Sequence, residues 1–162
     1  MARKQRAPAH RGSHEARPKE GIDNMKKLPI VMNAADHEEL SCAIGALGTL
    51  SERGRTELAA LRGELERAEI VLPEEVPSDV ITMNSRAELV DLDSNERMEF
   101  TLVFPRDADI EEGRISVLAP LGMAMLGYHV GDEFEWVVPY GRRRLRVAAV
   151  RFQPEAAVRA AA

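Results

Sequence analysis

Cysteine is nearly absent from this chain: Cys42 is the only one in 162 residues. A single thiol cannot close an internal disulfide, so packing alone has to hold the fold, as in a reducing compartment. Aromatic residues are scarce too, at 4% against 44% hydrophobic residues overall, so the core must be mostly aliphatic. No apolar run reaches the ~18 residues of a membrane-spanning helix. The basic N-terminus is not followed by the apolar stretch of a secretory signal. The expectation is a cytoplasmic protein with no membrane partner.

Lysine is absent beyond residue 27, and acids outnumber arginines over the rest of the molecule. The net charge is −5, yet residues 1–27 hold eight Lys/Arg and three Asp/Glu, which leaves a strongly acidic body. An acidic body argues against sequence-specific binding of duplex DNA, where a basic face supplies most of the affinity. It suits a protein partner with a basic surface.

Residues 1–27 show no hydrophobic period and are expected to be a disordered basic tail. Met25, followed by Lys-Lys-Leu-Pro-Ile-Val, reads as an alternative start of the chain. Residues 28–73 are expected to form a short antiparallel helical hairpin, a coiled coil. Asn33 is placed as its N-cap, with acids in the first turns where the helix dipole favours them. Leu40, Ile44, Leu47 and Leu50 space one apolar seam, and Leu58, Leu61, Leu65, Ala68 and Leu72 space the other. Gly54 is expected to turn the chain, with Thr56 as the second cap. Gly45, Gly48 and Gly63 weaken such helices by about 1 kcal/mol each relative to Ala. Arms of about 14–16 residues reach only roughly 21–24 Å. Pro73 and Pro77 end the helical part, since proline cannot continue a helix.

Residues 74–157 predict an α+β domain: an antiparallel sheet with one short helix. Strands are expected over Val80–Met83, Arg86–Leu92, Arg97–Phe104, Ile115–Leu118, Phe134–Val138 and Arg144–Phe152. Met98, Phe100, Leu102 and Phe104 alternate onto one face, the mark of a half-buried strand. Pro120–Leu126 predicts the helix, with proline in its first turn and Gly127 at its end. Residues 158–162 are expected to be a disordered end.

Chemical motifs begin and then fail. His37-Glu38 opens like a zinc-binding helix, but the second histidine position is Ser41. Asp91, Asp93 and Asn95 open like a calcium loop, but its required Gly and Glu are Glu96 and Leu102. Gly122 and Gly127 have phosphate-loop spacing, but Tyr128 and His129 replace the Lys and Ser/Thr. The histidines stand at 10, 14, 37 and 129, and no nucleophile elbow accompanies them. No metal, cofactor or catalytic residue is expected.

Ile115-Ser-Val-Leu-Ala-Pro-Leu-Gly-Met-Ala-Met-Leu-Gly-Tyr-His-Val-Gly-Asp132 carries a different message. A strand reading Ile-Ser-Val, a loop ending in Pro, a helix closed by Leu-Gly and then Val-Gly-Asp resemble the C-terminal domain of the Gre transcript-cleavage factors. Asn33-Ala-Ala-Asp-His, Pro77-Ser-Asp-Val-Ile-Thr-Met-Asn-Ser-Arg86 and Gln153-Pro-Glu-Ala156 bring the resemblance closest to the regulator of nucleoside diphosphate kinase family. The likeness covers about residues 28–157.

The resemblance implies an FKBP-like C-terminal domain, an N-terminal coiled coil and docking on RNA polymerase near its secondary channel. Its docking loop falls on Leu118, Ala119, Pro120 and Leu121. The family's serine there is Ala119, so a hydroxyl contact does not carry over. Gre factors place paired acids at the coil tip, to help hold a magnesium ion in the polymerase. Here the tip reads Ser51, Glu52, Arg53, Gly54 and Arg55, and Thr49 stands where a second acid would be wanted. The expected function is a non-catalytic, polymerase-binding regulator of transcription that competes with Gre factors and meets nucleic acid only inside the transcription complex. Two alternatives remain beside it: a transcript-cleavage factor and a prolyl isomerase. Oligomeric state is not legible.

Overall fold

The computed structural model describes residues 29–47 and 52–162. The expected basic tail lies outside them, as do Gly48, Thr49, Leu50 and Ser51, on which the expected hairpin tip falls. Strand β1 (Val31–Asn33) leads into helix α1 (Ala34–Gly45), and helix α2 (Glu52–Glu66) leads into β2 (Glu69–Val71). Five more strands follow: β3 (Arg86–Asp91), β4 (Arg97–Val103), β5 (Arg114–Ser116), β6 (Glu133–Val138) and β7 (Gly141–Phe152). Helix α3 (Pro120–Met125) separates β5 from β6, and α4 (Pro154–Ala161) follows β7.

Asn33 caps α1 as expected: its Oδ1 accepts from the Asp36 N–H at 2.9 Å. Leu40 and Ile44 of α1, and Leu61 and Leu65 of α2, are buried as their spacing predicts. The second helix differs at both ends. It starts at Glu52, so Gly54 and Thr56 lie inside it, and the Thr56 hydroxyl donates to the Glu52 carbonyl instead of capping. It stops at Glu66, because Glu69–Val71 pairs in parallel with Val31–Asn33. The β-branched Ile70 and Val71 suit that pairing better than another helical turn. Leu72 is therefore 59% exposed rather than on a seam.

The five-stranded sheet runs β5-β4-β3-β7-β6 and is antiparallel except for β4 against β5, which is parallel. Register irregularities between Arg86 and Ala87 and between Glu88 and Leu89 bend β3 against β7, which is how bulges curl a sheet. Leu102 and Phe104 are buried, and Met98 and Phe100 pack partly buried against them, as the alternation predicted. One apolar cluster joins Ile30, Met32, Leu40 and Leu65 to Leu89, Leu102, Met125 and Val147, so the helical part and the sheet share a core.

Two more expectations are corrected. Val80–Met83 is not a strand. Asn84 sits at φ 61 and Ser85 Oγ accepts from the Thr82 N–H, which turns the chain, while Val80 bridges only His129. Nor is the end of the chain unstructured. Pro154 starts a second C-terminal helix, α4, and Arg159 Nη1 ties it down by donating to the carbonyls of Glu74 (2.8 Å) and Val76 (2.7 Å).

Asn33 caps α1 and also donates from Nδ2 to Glu155 Oε1 at 2.9 Å. Asn33→Ala is expected to cost about 1–2 kcal/mol in a urea melt. Asn33→Ser keeps a capping oxygen but loses the reach to Glu155, so it should fall between the two.

Candidate docking groove and polar joint

The loop before α3 is built by its own backbone. Val117 N–H donates to the Val103 carbonyl at 2.9 Å, Ala119 N–H to the Ser116 carbonyl at 3.0 Å, and Leu118 N–H to Ser116 Oγ at 3.1 Å. Ala119 is extended, as a residue before proline prefers, and Pro120 takes the first helical position, where its missing N–H costs nothing. Gly122 is required: a Cβ there would lie 2.0 Å from the Ser116 carbonyl oxygen. That close approach seats α3 on the end of β5 and leaves Leu121 and Met125 buried.

Of the four expected docking residues, Pro120 is exposed, Leu118 and Ala119 are half-buried, and Leu121 is buried. Ala119, Pro120 and Leu121 line an apolar groove of about 510 Å³ together with Phe100, Ile115 and Trp136. Ala108, Ile110, Val138 and Pro139 extend the lining from the neighbouring loops. Leu118 packs against the core instead. Residue spacing placed the loop; the groove was not foreseen, because it needs the curl of the sheet to bring β4 and β6 around α3.

Of the expected tip residues, Ser51 lies outside the described residues, and Glu52 and Arg55 do not line this groove. Glu52 and Arg55 stand exposed in the first turns of α2, and Arg53 is in the same helix. Asp91 is a turn-former rather than a calcium ligand. Its Oδ1 accepts from the N–H groups of Asp93 (2.8 Å) and Ser94 (3.2 Å), and its Oδ2 from Arg143 Nη1 (2.7 Å). Those backbone bonds, then the Arg143 guanidinium, hold its carboxyl below the usual carboxylate range. His129 is likewise part of a turn, with its N–H on Asp132 Oδ2 at 2.9 Å and its ring nitrogen 3.2 Å from Asp79.

Sequence reading missed a buried polar joint. Glu155, 4% exposed, accepts from Asn33 Nδ2 on Oε1 and from the Thr82 hydroxyl on Oε2, at 2.9 Å each. Asn33 Nδ2 also donates to Asp36 Oδ2 at 3.0 Å. Gln153 Nε2 donates to the carbonyls of Pro77 (2.7 Å) and Val80 (2.9 Å). His37 Nε2 donates to the Leu65 carbonyl at 3.0 Å, and Glu39 pairs with Arg106 at 2.5 Å. Three stretches far apart in sequence thus converge: Asn33–His37, Pro77–Ser85 and Gln153–Glu155.

Residues 76–152 match the family described as "Transcription elongation factor, GreA/GreB, C-term". The "Regulator of nucleoside diphosphate kinase" of Escherichia coli (strain K12) is 38% identical over 134 residues, covering 82% of this chain and 96% of that protein. The chain belongs to the regulator of nucleoside diphosphate kinase family. The relation to Gre factors extends beyond the matched domain. A "Transcription elongation factor GreA" of Nitrobacter winogradskyi is 26% identical over 156 residues, covering 92% of this chain and 99% of that one. In structure, a "Prokaryotic transcription elongation factor GreA/GreB from Nitrosomonas europaea" superposes with a TM-score of 0.68 at 38% identity, over 78% of this chain and all of that one. The residue runs that suggested the family from sequence are those that build the polar joint and the loop before α3.

Two measurements test this geometry. Gly122→Ala forces backbone apart and is expected to destabilise the fold by about 2 kcal/mol or more; a melt unchanged from wild type would contradict the close approach. Asp36 is pushed up to about 6 by burial, with Glu155 and Glu39 adding to it and the Asn33 bond opposing. A carboxyl raised in the folded state disfavours its own ionisation there, so this cost is absent below the free value and grows as pH rises toward 6. Asp36→Asn should therefore raise the melting temperature at pH 7.5, with the gain shrinking toward pH 4.

Proposed function

We propose that this protein is a non-catalytic regulator of transcription that binds RNA polymerase near its secondary channel and competes there with Gre cleavage factors. The observation that carries it is the Leu118–Leu121 loop: Pro120 stands exposed beside an apolar groove, on a backbone that packs closely against Ser116 at Gly122. A preorganised apolar loop loses little entropy on docking. Ala119 supplies no hydroxyl, so the contact rests on shape and apolar area. The curled sheet stands in for the FKBP-like domain of the Gre factors, and α1 with α2 for a short coiled-coil arm.

The tip chemistry supports the non-catalytic part. Stabilising a magnesium ion takes converging oxygen donors, and Glu52 is followed by Arg53 and Arg55. An effect on nucleoside diphosphate kinase levels then needs only a transcriptional route, in the cytoplasm where polymerase works.

One observation favours a second reading. Trp136 and Phe100 give the groove the aromatic lining that prolyl isomerisation would need. Fold alone is a weak warrant for that activity, and a peptide isomerisation assay decides it.

Pro120→Gly is expected to weaken binding to core polymerase about tenfold, roughly 1.4 kcal/mol, while the far-UV spectrum stays that of wild type. Unchanged affinity would overturn the loop assignment. Added to backtracked complexes, the protein is expected to yield no shortened transcripts; their appearance would restore the cleavage-factor alternative.

A further inference from the structure

The groove beside α3 contains two polar groups that an apolar loop contact leaves unused. Arg114 and Ser116 stand two residues apart on β5, so strand alternation turns both to one side, and both line the groove. The rest of the lining is apolar, with Phe100 of β4 and Trp136 of β6 left half-buried. At about 510 Å³ the groove has the size of a small-molecule pocket, which typically sets a few convergent polar groups in an apolar and aromatic wall.

Both polar groups can donate. Arg114 Nη2 is 3.6 Å from Asp109 Oδ2, an ion pair too long to be a hydrogen bond. The other oxygen of Asp109 already accepts from the N–H groups of Glu111 (3.1 Å) and Glu112 (3.4 Å). The exposed guanidinium therefore keeps its planar fork open to a second carboxylate. The Ser116 hydroxyl accepts from the Leu118 N–H at 3.1 Å, which leaves its own proton to give. Among the described residues, no acid belongs to the lining, and Arg114 is its one charge.

We propose that this groove binds a small apolar carboxylic acid, with its hydrocarbon body against Phe100, Ile115 and Trp136 and its carboxylate on Arg114 and the Ser116 hydroxyl. Burial of the body against the aromatic wall supplies affinity. The guanidinium–carboxylate contact adds orientation as well as strength. The protein as a whole carries a net charge of −5, so its overall field favours a cationic ligand over an anionic one. A preference for the anion would thus be the work of Arg114 and not of the field. The site does not depend on any contact with polymerase and is tested with the protein alone.

Trp136 is the only tryptophan in the chain, so its fluorescence reports on the groove. The full chain is titrated with decanoate, decanol and decyltrimethylammonium, each below its micelle-forming concentration. Decanoate is expected to shift the emission saturably and to bind about tenfold more tightly than decanol, with the cation weakest. Arg114→Gln should bring decanoate down to the level of decanol while decanol itself is unchanged, and Arg114→Lys should keep most of the difference. No saturable shift, equal binding of the three probes, or a loss in Arg114→Gln that decanol shares would overturn the proposal. A terminally blocked apolar peptide that binds more tightly than decanoate would name a protein segment as the occupant. Emission that shifts with protein concentration alone would name a second copy. Either result overturns it too.

Discussion

A carboxylate with almost no access to water holds the two ends of the described chain to its middle. Glu155 accepts from Asn33 at the start of α1 and from Thr82 in the turn before β3. A buried carboxylate is costly unless its oxygens are satisfied, and here both are. Removing either donor would leave one carboxylate oxygen without its partner, so the three segments are coupled rather than merely adjacent. Asp36, drawn to the same Asn33 amide, lies close enough to Glu155 to feel its charge. The joint therefore carries repulsion as well as attachment.

That attachment matters because the groove is assembled from pieces that do not touch in sequence. The curl of the sheet brings Phe100 of β4 and Trp136 of β6 to the start of α3. Gly122 lets α3 sit down on Ser116, which sets the loop holding Ala119 and Pro120. The helical part is fixed to the same core through Leu40, Ile44, Leu61 and Leu65. Glu39 on α1 reaches Arg106, in the connection from β4 to β5 whose Ala108 and Ile110 line the groove.

Local signals in the sequence were read well where local physics decides. Asn33 as a cap, the alternation of β4, Pro120 opening a helix and the Asp91 turn all depend on nearest neighbours. The misreadings depend on long-range pairing. α2 was extended to Leu72 because Ala68 and Leu72 continue its spacing, while the competing β1–β2 ladder is set by residues nearly forty positions away. Val80–Met83 has strand composition, but Asn84 and Ser85 turn it. α4 is hard to read because it is short and half alanine, eight residues with Val158 as its one large apolar side chain; it is held by Arg159 on carbonyls of residues 74 and 76. The stretches quoted for family likeness were legible as words, not as a site. Only the fold shows that they meet around Glu155.

The central claim is that the loop before α3 is the surface that meets polymerase. A short photocrosslinker on Ala119→Cys, in a Cys42→Ser background, tests it most directly. The account predicts a crosslink to core polymerase that excess Gre factor abolishes, and none from Ser94→Cys in the turn between β3 and β4. No crosslink from position 119, or an equal one from position 94, would contradict it.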